Sequence, residues 1–417
     1  MKERVAIIGG GIAGLTAGYL LNRKYDVTLF ERSDRLGGNA CTVTLPDGVP
    51  SDIGVMACLR QDYRKFFTIL DELGIATVSG MGTSVSFHNL DSGGGLYLTP
   101  GVKGLLAQRF ALLRPSRVGE IIGLLRGLRR AEALLDAGAL EGLTLGEALA
   151  RIPEVRGDGK LLLIGTFCVI SSMRCDDVMD SPAPFFIRKL RFYSHLLPPK
   201  GLVLMRYLKD GTRSYVKALA APFRDGVELN SRIRRVVRSG GKVHLVMEEG
   251  EQREFDRVVF ACNADQALAL LADPTEREAQ LLGTWRYTEA PIVVHDDDTS
   301  LPPRALMPGY TLLHRDGGKF MESSVNFPLW LLPGVPGESR FLITQHQNFP
   351  IRKERVHFER VFRTPIYDFR SYATVGELPS LNGVRNTYYC GAHFGFGLHE
   401  DAVASAFEVA RVLEGKC

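Results

Sequence analysis

The chain opens MKERVAIIGGGIAGL, a short apolar run that meets three consecutive glycines and a fourth three residues later. Few folds accommodate that opening. Arg4–Ile8 reads as a buried strand, Gly9–Gly14 as a tight loop and Ile12–Asn22 as the helix the loop starts. Asp26–Glu31 (DVTLFE) reads as a second strand, so the first 31 residues predict the start of a parallel βαβ unit. The glycines at 9, 11 and 14 follow the GxGxxG spacing. Gly9 permits the turn, Gly11 leaves no Cβ where a phosphate must approach, and Gly14 lets helix pack on strand. Ile12 and Ala13 lie in the first helical turn, where free N–H groups and the helix dipole favour negative charge. Glu31 ends the second strand, where a carboxylate can accept hydrogen bonds from a ribose diol. A strand before the loop, a helix after it and an acid at this distance predict dinucleotide binding rather than a purely structural turn.

At 417 residues the chain is too long for one ordinary core, and two domains are expected. Its 51 basic and 47 acidic residues leave a net charge of +4, too small a bias to predict a nucleic-acid partner. Seven cysteines lie scattered without CxxC spacing, which predicts reduced thiols in the cytoplasm, no disulfide framework and no metal site. The apolar stretch at the terminus reads as a strand, so no signal sequence is expected there, and nothing approaches the ~18 apolar residues of a membrane span.

Beyond the first unit, residues 63–73 have helical spacing, and 102–150, rich in Leu, Ala and Arg, predict two or three helices. Strands are expected at Val227–Leu229, Ile233–Arg238, Val243–Glu248 and Arg257–Ala261, followed by a helix at Asn263–Ala272. Further strands are expected around Ile292–His295 and Phe341–Gln345. Asn386–Cys390 reads as a last strand, Gly391–Gly397 as a glycine-rich loop and Glu400–Leu413 as a last helix.

The segment after the second strand, Glu31-Arg32-Ser33-Asp34-Arg35-Leu36-Gly37-Gly38, resembles the ExxxRxGG continuation of the FAD-binding amine-oxidase and phytoene-desaturase superfamily. The resemblance implies that Arg35, Gly37 and Gly38 lie along the FAD pyrophosphate and ribityl chain, and a guanidinium suits phosphate oxygens. Asp52-Ile53-Gly54 resembles the superfamily's D-x-G turn under the isoalloxazine. Arg232–Val236 looks like the segment whose backbone meets the adenine, with Val236 as the contact and Ile233 its neighbour. Asp256–Ala261 followed by Cys262 resembles the strand that returns to the cofactor. Gly391 and the Gly397–Ala402 stretch, with Glu400 and Asp401, resemble the C-terminal flavin motif, where a helix start faces the flavin N1/O2 edge. Many relatives carry an acid directly after the last-strand glycine, where this chain has Ala392.

The fold this implies is α/β: a Rossmann-like FAD-binding domain of the GR2 type, interleaved with an α+β substrate domain. The FAD domain is expected over 1–90, 205–270 and 365–417, and the substrate domain over 91–204 and 271–364. No second GxGxxG is present, so reduction of the flavin by an organic substrate is expected rather than by a nicotinamide domain. Phrases such as FERSDRLGGNACTV and YYCGAHFGFGLHEDAVASA look like bacterial oxidoreductases of a fatty-acyl desaturase-like branch. The implied activity is FAD-dependent oxidation of an amine or an acyl or alkyl chain, with O₂ or another acceptor taking the electrons. A redox-neutral double-bond isomerase and a non-catalytic carrier of the same fold are the alternatives.

Catalytic side chains are less defined. His393 and His399, in the flavin tail, are the nearest candidates, and Lys319 could play the amine oxidases' lysine. Tyr389 and Asn326 are weaker candidates, and Cys390 is more simply a buried thiol than a flavin tether. Phe185-Phe186, Phe192-Tyr193 and Phe327-Trp330 could line an apolar cavity or belong to the core. Residues 104–130 combine leucines with six arginines and one acid. They read as helices with a solvated basic face, and peripheral contact with an anionic membrane, admitting a lipid substrate, is the alternative.

Overall fold

The computed structural model describes residues 2–54, 57–80, 84–98, 106, 113–192, 205–307, 309–316 and 322–415. Two large sheets organise them. The first is a five-stranded parallel sheet in the spatial order Thr387–Tyr389, Arg257–Phe260, Arg4–Ile8, Asp26–Phe30, Val227–Glu228. Arg4–Ile8 is central and has its sequence neighbour on one side and the returning strand Arg257–Phe260 on the other. A crevice therefore forms at the carboxyl ends of these two strands, where an open α/β sheet places its ligand. Val5, Ala6 and Ile7 are fully buried, as expected of a strand covered on both faces. One covering layer is the Ile12–Leu21 helix, packed against the last helix, His399–Leu413.

The second sheet has seven strands, in the order Val356–Ile366, Arg286–His295, Leu342–Gln345, Glu322–Pro328, Gly309–Arg315, Ser84–Asn89, Gly95–Tyr97. All its neighbours are antiparallel except Gly309–Arg315 with Ser84–Asn89. The expected division after residue 90 thus falls in the hairpin between Ser84–Asn89 and Gly95–Tyr97, both strands of this second sheet. The Gly157–Ser171 helix packs across it, burying Leu162 with Phe87, Leu96, Leu312 and Val325. That helix gives no amphipathic period because it is apolar nearly all round (GDGKLLLIGTFCVIS), the pattern of a helix buried on several sides. Pro115–Asp136, Cys175–Asp180 and Ala183–Phe192 pack against it, and Leu145–Ala150 packs on the last two of these. The six described cysteines are free, and Cys168 Sγ lies 3.1 Å from Cys175 Sγ. No helix among the described residues is long and apolar enough to cross a membrane.

Candidate functional site

The glycine loop is built by close contacts that only glycine allows. A methyl group at Gly14 would sit 1.9 Å from Gly9 O, so the helix can lie this close to the loop only without a side chain there. Gly9 itself, at φ +113°, rests on the end of the returning strand, 2.8 Å from Ala261 O by the same measure. The Arg35–Gly38 turn then folds onto the loop: Gly37 N–H donates to Gly10 O at 2.8 Å, and a Cβ at Gly38 would meet Gly11 Cα at 3.1 Å. Gly9, Gly11, Gly14, Gly37, Gly38 and Cys262 are thereby brought to one crevice. Gly391 joins them, since a Cβ there would lie 3.9 Å from Cys262 O.

Three observations show that this crevice fits an anionic dinucleotide. At Gly11 a Cβ would meet no heavy atom within 4 Å, so the start of the Ile12–Leu21 helix faces open space. No side chain caps that helix and no acid lies in its first turn, which leaves the Ile12 and Ala13 N–H groups for a ligand. Arg35 donates to the carbonyls of Leu36 and Ala40, both at 3.0 Å, and to Gly38 O, yet its buried Nε has no partner among the described residues. Burial works against the Arg35 charge, and an anion beside it would compensate. Glu31 Oε2 accepts from Gly10 N at 2.7 Å, while Oε1 accepts from Ser33 N and Oγ, so Oε2 keeps acceptor capacity for a hydroxyl. Arg32 is exposed.

Other expected cofactor residues turn inward to the protein. Asp52 is buried and accepts from Thr42 Oγ1 at 2.6 Å, Thr212 N at 2.9 Å and Thr212 Oγ1 at 2.8 Å. It fastens the start of the Arg213–Ala220 helix to the hairpin of Thr42–Thr44 and Pro50–Asp52. Burial pushes its carboxyl up despite those donors. Both Glu400 oxygens cap another helix, accepting from Lys65 N at 2.8 Å and Phe66 N at 2.9 Å. The Val236 carbonyl is occupied by Ala272 N, and its side chain lies in the core. The backbone beside Glu31 is instead Ser231, whose N–H donates to Glu31 O. Ala402 is buried in the first turn of the last helix.

The tail loop 392–398 is held from three sides. Asp401 Oδ2 accepts from Phe396 N at 2.9 Å and Leu398 N at 2.7 Å, and Tyr367 Oη donates to Gly395 O at 2.9 Å. The third hold has no counterpart in the sequence motifs. Lys189, 1% exposed in the Ala183–Phe192 helix, donates from Nζ to Phe396 O at 2.8 Å. Burial lowers its ammonium to about 7 against the raising field of Asp401, and burial raises Asp401 to about 6. Its only sequence signal is a lysine inside an aromatic, otherwise core-like run, APFFIRKLRF.

His393 and His399 are both buried, which lowers each imidazole to about 3 and leaves them neutral near pH 7. His393 packs edge-on against Trp285, and His399 Nε2 meets Tyr215 Oη at 2.9 Å. Tyr389 Oη donates to Glu278, and Asn326 is consumed by Thr344, Ser324 and Thr311. Lys319 and Tyr193 lie outside the described residues. Phe185 and Phe186 are core, Phe185 stacking on Tyr367 at 4.1 Å, and Trp330 lies under the Arg304 guanidinium.

A cavity of about 170 Å³ lies between the flavin-side loops and the seven-stranded sheet. Gly54, Asn39 and Gly397 form its wall on the dinucleotide side. Ile292, Phe327 and Phe362 come from the sheet, and Ser171 and Ser172 from the end of the Gly157–Ser171 helix. No described residue lining it carries a charge near neutral pH. Neither histidine of the tail is part of that lining.

A parallel sheet with a glycine cradle at its switch point, facing a second sheet across an uncharged cavity, defines a dinucleotide-binding α/β protein. The model of the flavin-containing amine oxidoreductase family matches residues 12–295, and the chain belongs to that family. FAD is its cofactor. AofH of Mycobacterium tuberculosis, a flavin-containing monoamine oxidase by name, is 28% identical over 281 residues. That match covers 65% of this chain and 59% of AofH, so the chain spans under two thirds of the relative's length. Among solved structures, the fatty acid isomerase from P. acnes that produces CLA is 20% identical over 98% of both chains, with a TM-score of 0.68. Cyclohexylamine oxidase from Brevibacterium oxydans is 15% identical, with a TM-score of 0.69 over 99% of this chain and 100% of the other. At such identities these structures share the fold.

Proposed function

We propose that this protein is an FAD-dependent oxidoreductase that oxidises a neutral, apolar group of an organic substrate, an acyl or alkyl segment rather than a charged amine. The observation that carries the reading is the uncharged cavity walled on one side by Gly54 and Gly397. Burying an ammonium there with no counter-charge would cost several kcal/mol, whereas an alkyl group would be stabilised by each methylene removed from water. Size adds a bound. An apolar cavity of about 150 Å³ holds a benzene ring, so about 170 Å³ accepts a ring or a short alkyl segment and leaves the remainder of a longer substrate outside.

When bound, FAD supplies the hydride acceptor, with O₂ or another acceptor taking the electrons afterwards. The chain's own residues hold and orient. In this reading Gly11 and the Ile12 and Ala13 N–H groups receive the pyrophosphate together with Arg35, Glu31 meets the ribose, and the backbone around Ser231, with Ile233 two residues on, rather than Val236, lies towards the adenine. Ile292, Phe327 and Phe362 exclude water from the reacting carbon, and Gln345 and Thr364 orient a polar substituent. The sheet carrying the cradle corresponds to the FAD domain and the seven-stranded sheet to the substrate domain.

Anaerobic mixing of the purified yellow protein with amines, amino acids, fatty acids and short acyl esters tests this. Bleaching of the flavin by the neutral or acyl compounds is expected. Bleaching by amines alone would overturn the substrate class, and conversion with the flavin oxidised and no acceptor consumed would replace oxidation with isomerisation. A protein that purifies without flavin and binds none when supplied would overturn the whole reading.

A further inference from the structure

Among the described residues nine large apolar side chains are exposed, and five of them, Leu106, Leu113, Val118, Ile122 and Leu125, fall within a stretch of twenty residues. Three belong to the Pro115–Asp136 helix, where Val118, Ile122 and Leu125 are spaced i, i+4, i+7 and are 39%, 43% and 37% exposed. That spacing puts them in one stripe, which Arg129 continues one turn further. The opposite face is committed to the fold. It buries Gly127, Leu128, Ala131 and Leu135, and a methyl group at Gly127 would meet the Val155 side chain at 2.2 Å. The outward stripe is therefore not a misplaced core.

Charge decides what it faces. Exposed Arg114, Arg126 and Arg129 flank the stripe and have no ion pair among the described residues. The other charges on the helix are answered: Arg117 by Glu120 and Asp158, Arg130 by Glu154, and Asp136 by Arg191. Among the described residues of this helix only Glu132, near the carboxyl end, is an unanswered acid. An apolar ridge bordered by unpaired arginines is complementary to an anionic lipid surface, where guanidinium groups meet headgroups and aliphatic tips enter the acyl boundary. We infer that the Pro115–Asp136 helix is a docking face for an anionic membrane. Its inner side leads to the cavity, because Ile121 and Leu124 pack on the cluster that contains Val325, a cavity-wall residue. A substrate held in the bilayer would thus arrive at the layer covering the site. The inference is independent of the flavin chemistry, which stands if the surface fails.

Co-sedimentation of the holoprotein with phosphatidylcholine vesicles, with and without phosphatidylglycerol, is the test. Binding is expected only to the anionic vesicles and should weaken with salt. Each arginine near such a surface contributes about fivefold in affinity, so Arg114→Gln with Arg126→Gln and Arg129→Gln should lose about a hundredfold. Ile122→Asp with Leu125→Asp should abolish binding, and flavin absorbance and the melting temperature report that both variants are folded. Absence of binding to anionic vesicles, or binding unchanged in both folded variants, would overturn the inference. So would sedimentation velocity showing a dimer that Ile122→Asp with Leu125→Asp disperses, since the stripe would then face a second copy.

Discussion

Lys189 offers the sharpest quantitative test, because two opposing effects meet in one side chain. Its ammonium is buried to 1% exposure and donates to Phe396 O, which steadies the loop leading to Gly397. Burial lowers its pKa from 10.5 to about 7. Because the folded-state pKa lies below the unfolded one, the unfolded chain holds the extra proton between these values. The wild type therefore gains stability as pH rises from about 7 towards 10.5, and is penalised at neutral pH. With each tenfold change in proton affinity equivalent to about 1.4 kcal/mol, that penalty is roughly 4 kcal/mol near pH 7 and falls to roughly 1.4 kcal/mol near pH 9.5. Lys189→Met keeps the volume and removes the penalty, but it also deletes a hydrogen bond worth roughly 1.5–3 kcal/mol and leaves Phe396 O unpaired. Asp401 in addition loses a favourable neighbour. The net change in stability at any one pH is thus a small difference between opposing effects, while its pH dependence above about pH 7 comes chiefly from the lysine, Asp401 titrating lower, at about 6, and shifting in the same direction when the lysine is lost. The variant should gain about 3 kcal/mol over the wild type on going from about pH 9.5 to about pH 7, read from urea midpoints of both proteins at each pH. FAD should also dissociate faster from it, because the tail loop has lost one of its three fastenings. Parallel pH profiles for the two proteins would show that Lys189 titrates normally, and the reasoning from burial would be wrong.

Three further outcomes follow from the geometry. Gly11→Ala, facing open space, should leave apoprotein melting unchanged and weaken FAD about tenfold or more in a fluorescence titration, whereas Gly14→Ala, driven against Gly9 O, should also cost about 1–3 kcal/mol of stability; equal effects would contradict the cradle. Arg238 reaches both Glu278 oxygens, at 2.6 and 2.9 Å, and although burial acts to raise that carboxyl, the bonds from Arg238 and Tyr389 hold it below its usual range. Arg238→Met should destabilise by about 3–5 kcal/mol in urea denaturation, and adding Glu278→Leu should recover most of it. His393 and His399 are lowered from 6.5 to about 3, so the stability they contribute is complete above pH 6.5 and lost as pH falls towards 3. Acid denaturation should steepen by about 1.4 kcal/mol per pH unit for each histidine, and His393→Phe should remove one such increment.

The glycine cradle was legible in sequence, and the cavity only in part, for a physical reason. A pyrophosphate near a helix start demands a missing Cβ at Gly11, a close approach at Gly14 and a guanidinium at Arg35, so each position admits almost one residue type and the spacing survives as a motif. A cavity demands only volume and the absence of charge. Ile292, Phe327 and Phe362 satisfy it from three strands, and any similar side chains would do; Phe327 stands out only as an aromatic, equally suited to the core, and no local pattern marks the other two. Of the seven-stranded sheet, strands around Ile292–His295 and Phe341–Gln345 are expected from sequence, whereas VHFERVFRTPI, which alternates but carries arginines and Pro365, becomes a strand only when its pairing with Arg286–His295 is seen. Motif position can also mislead when the surrounding chain claims the side chain. Asp52 and Glu400 stand where the family pattern places cofactor residues, yet each spends its carboxylate on the N–H groups of a helix start. Lys189 is the converse, a titratable group with no motif that reaches the tail loop only through the packing of a helix some two hundred residues away in sequence. Residues whose identity a ligand's shape dictates can be read locally; those that act through the fold become visible only when the fold is known.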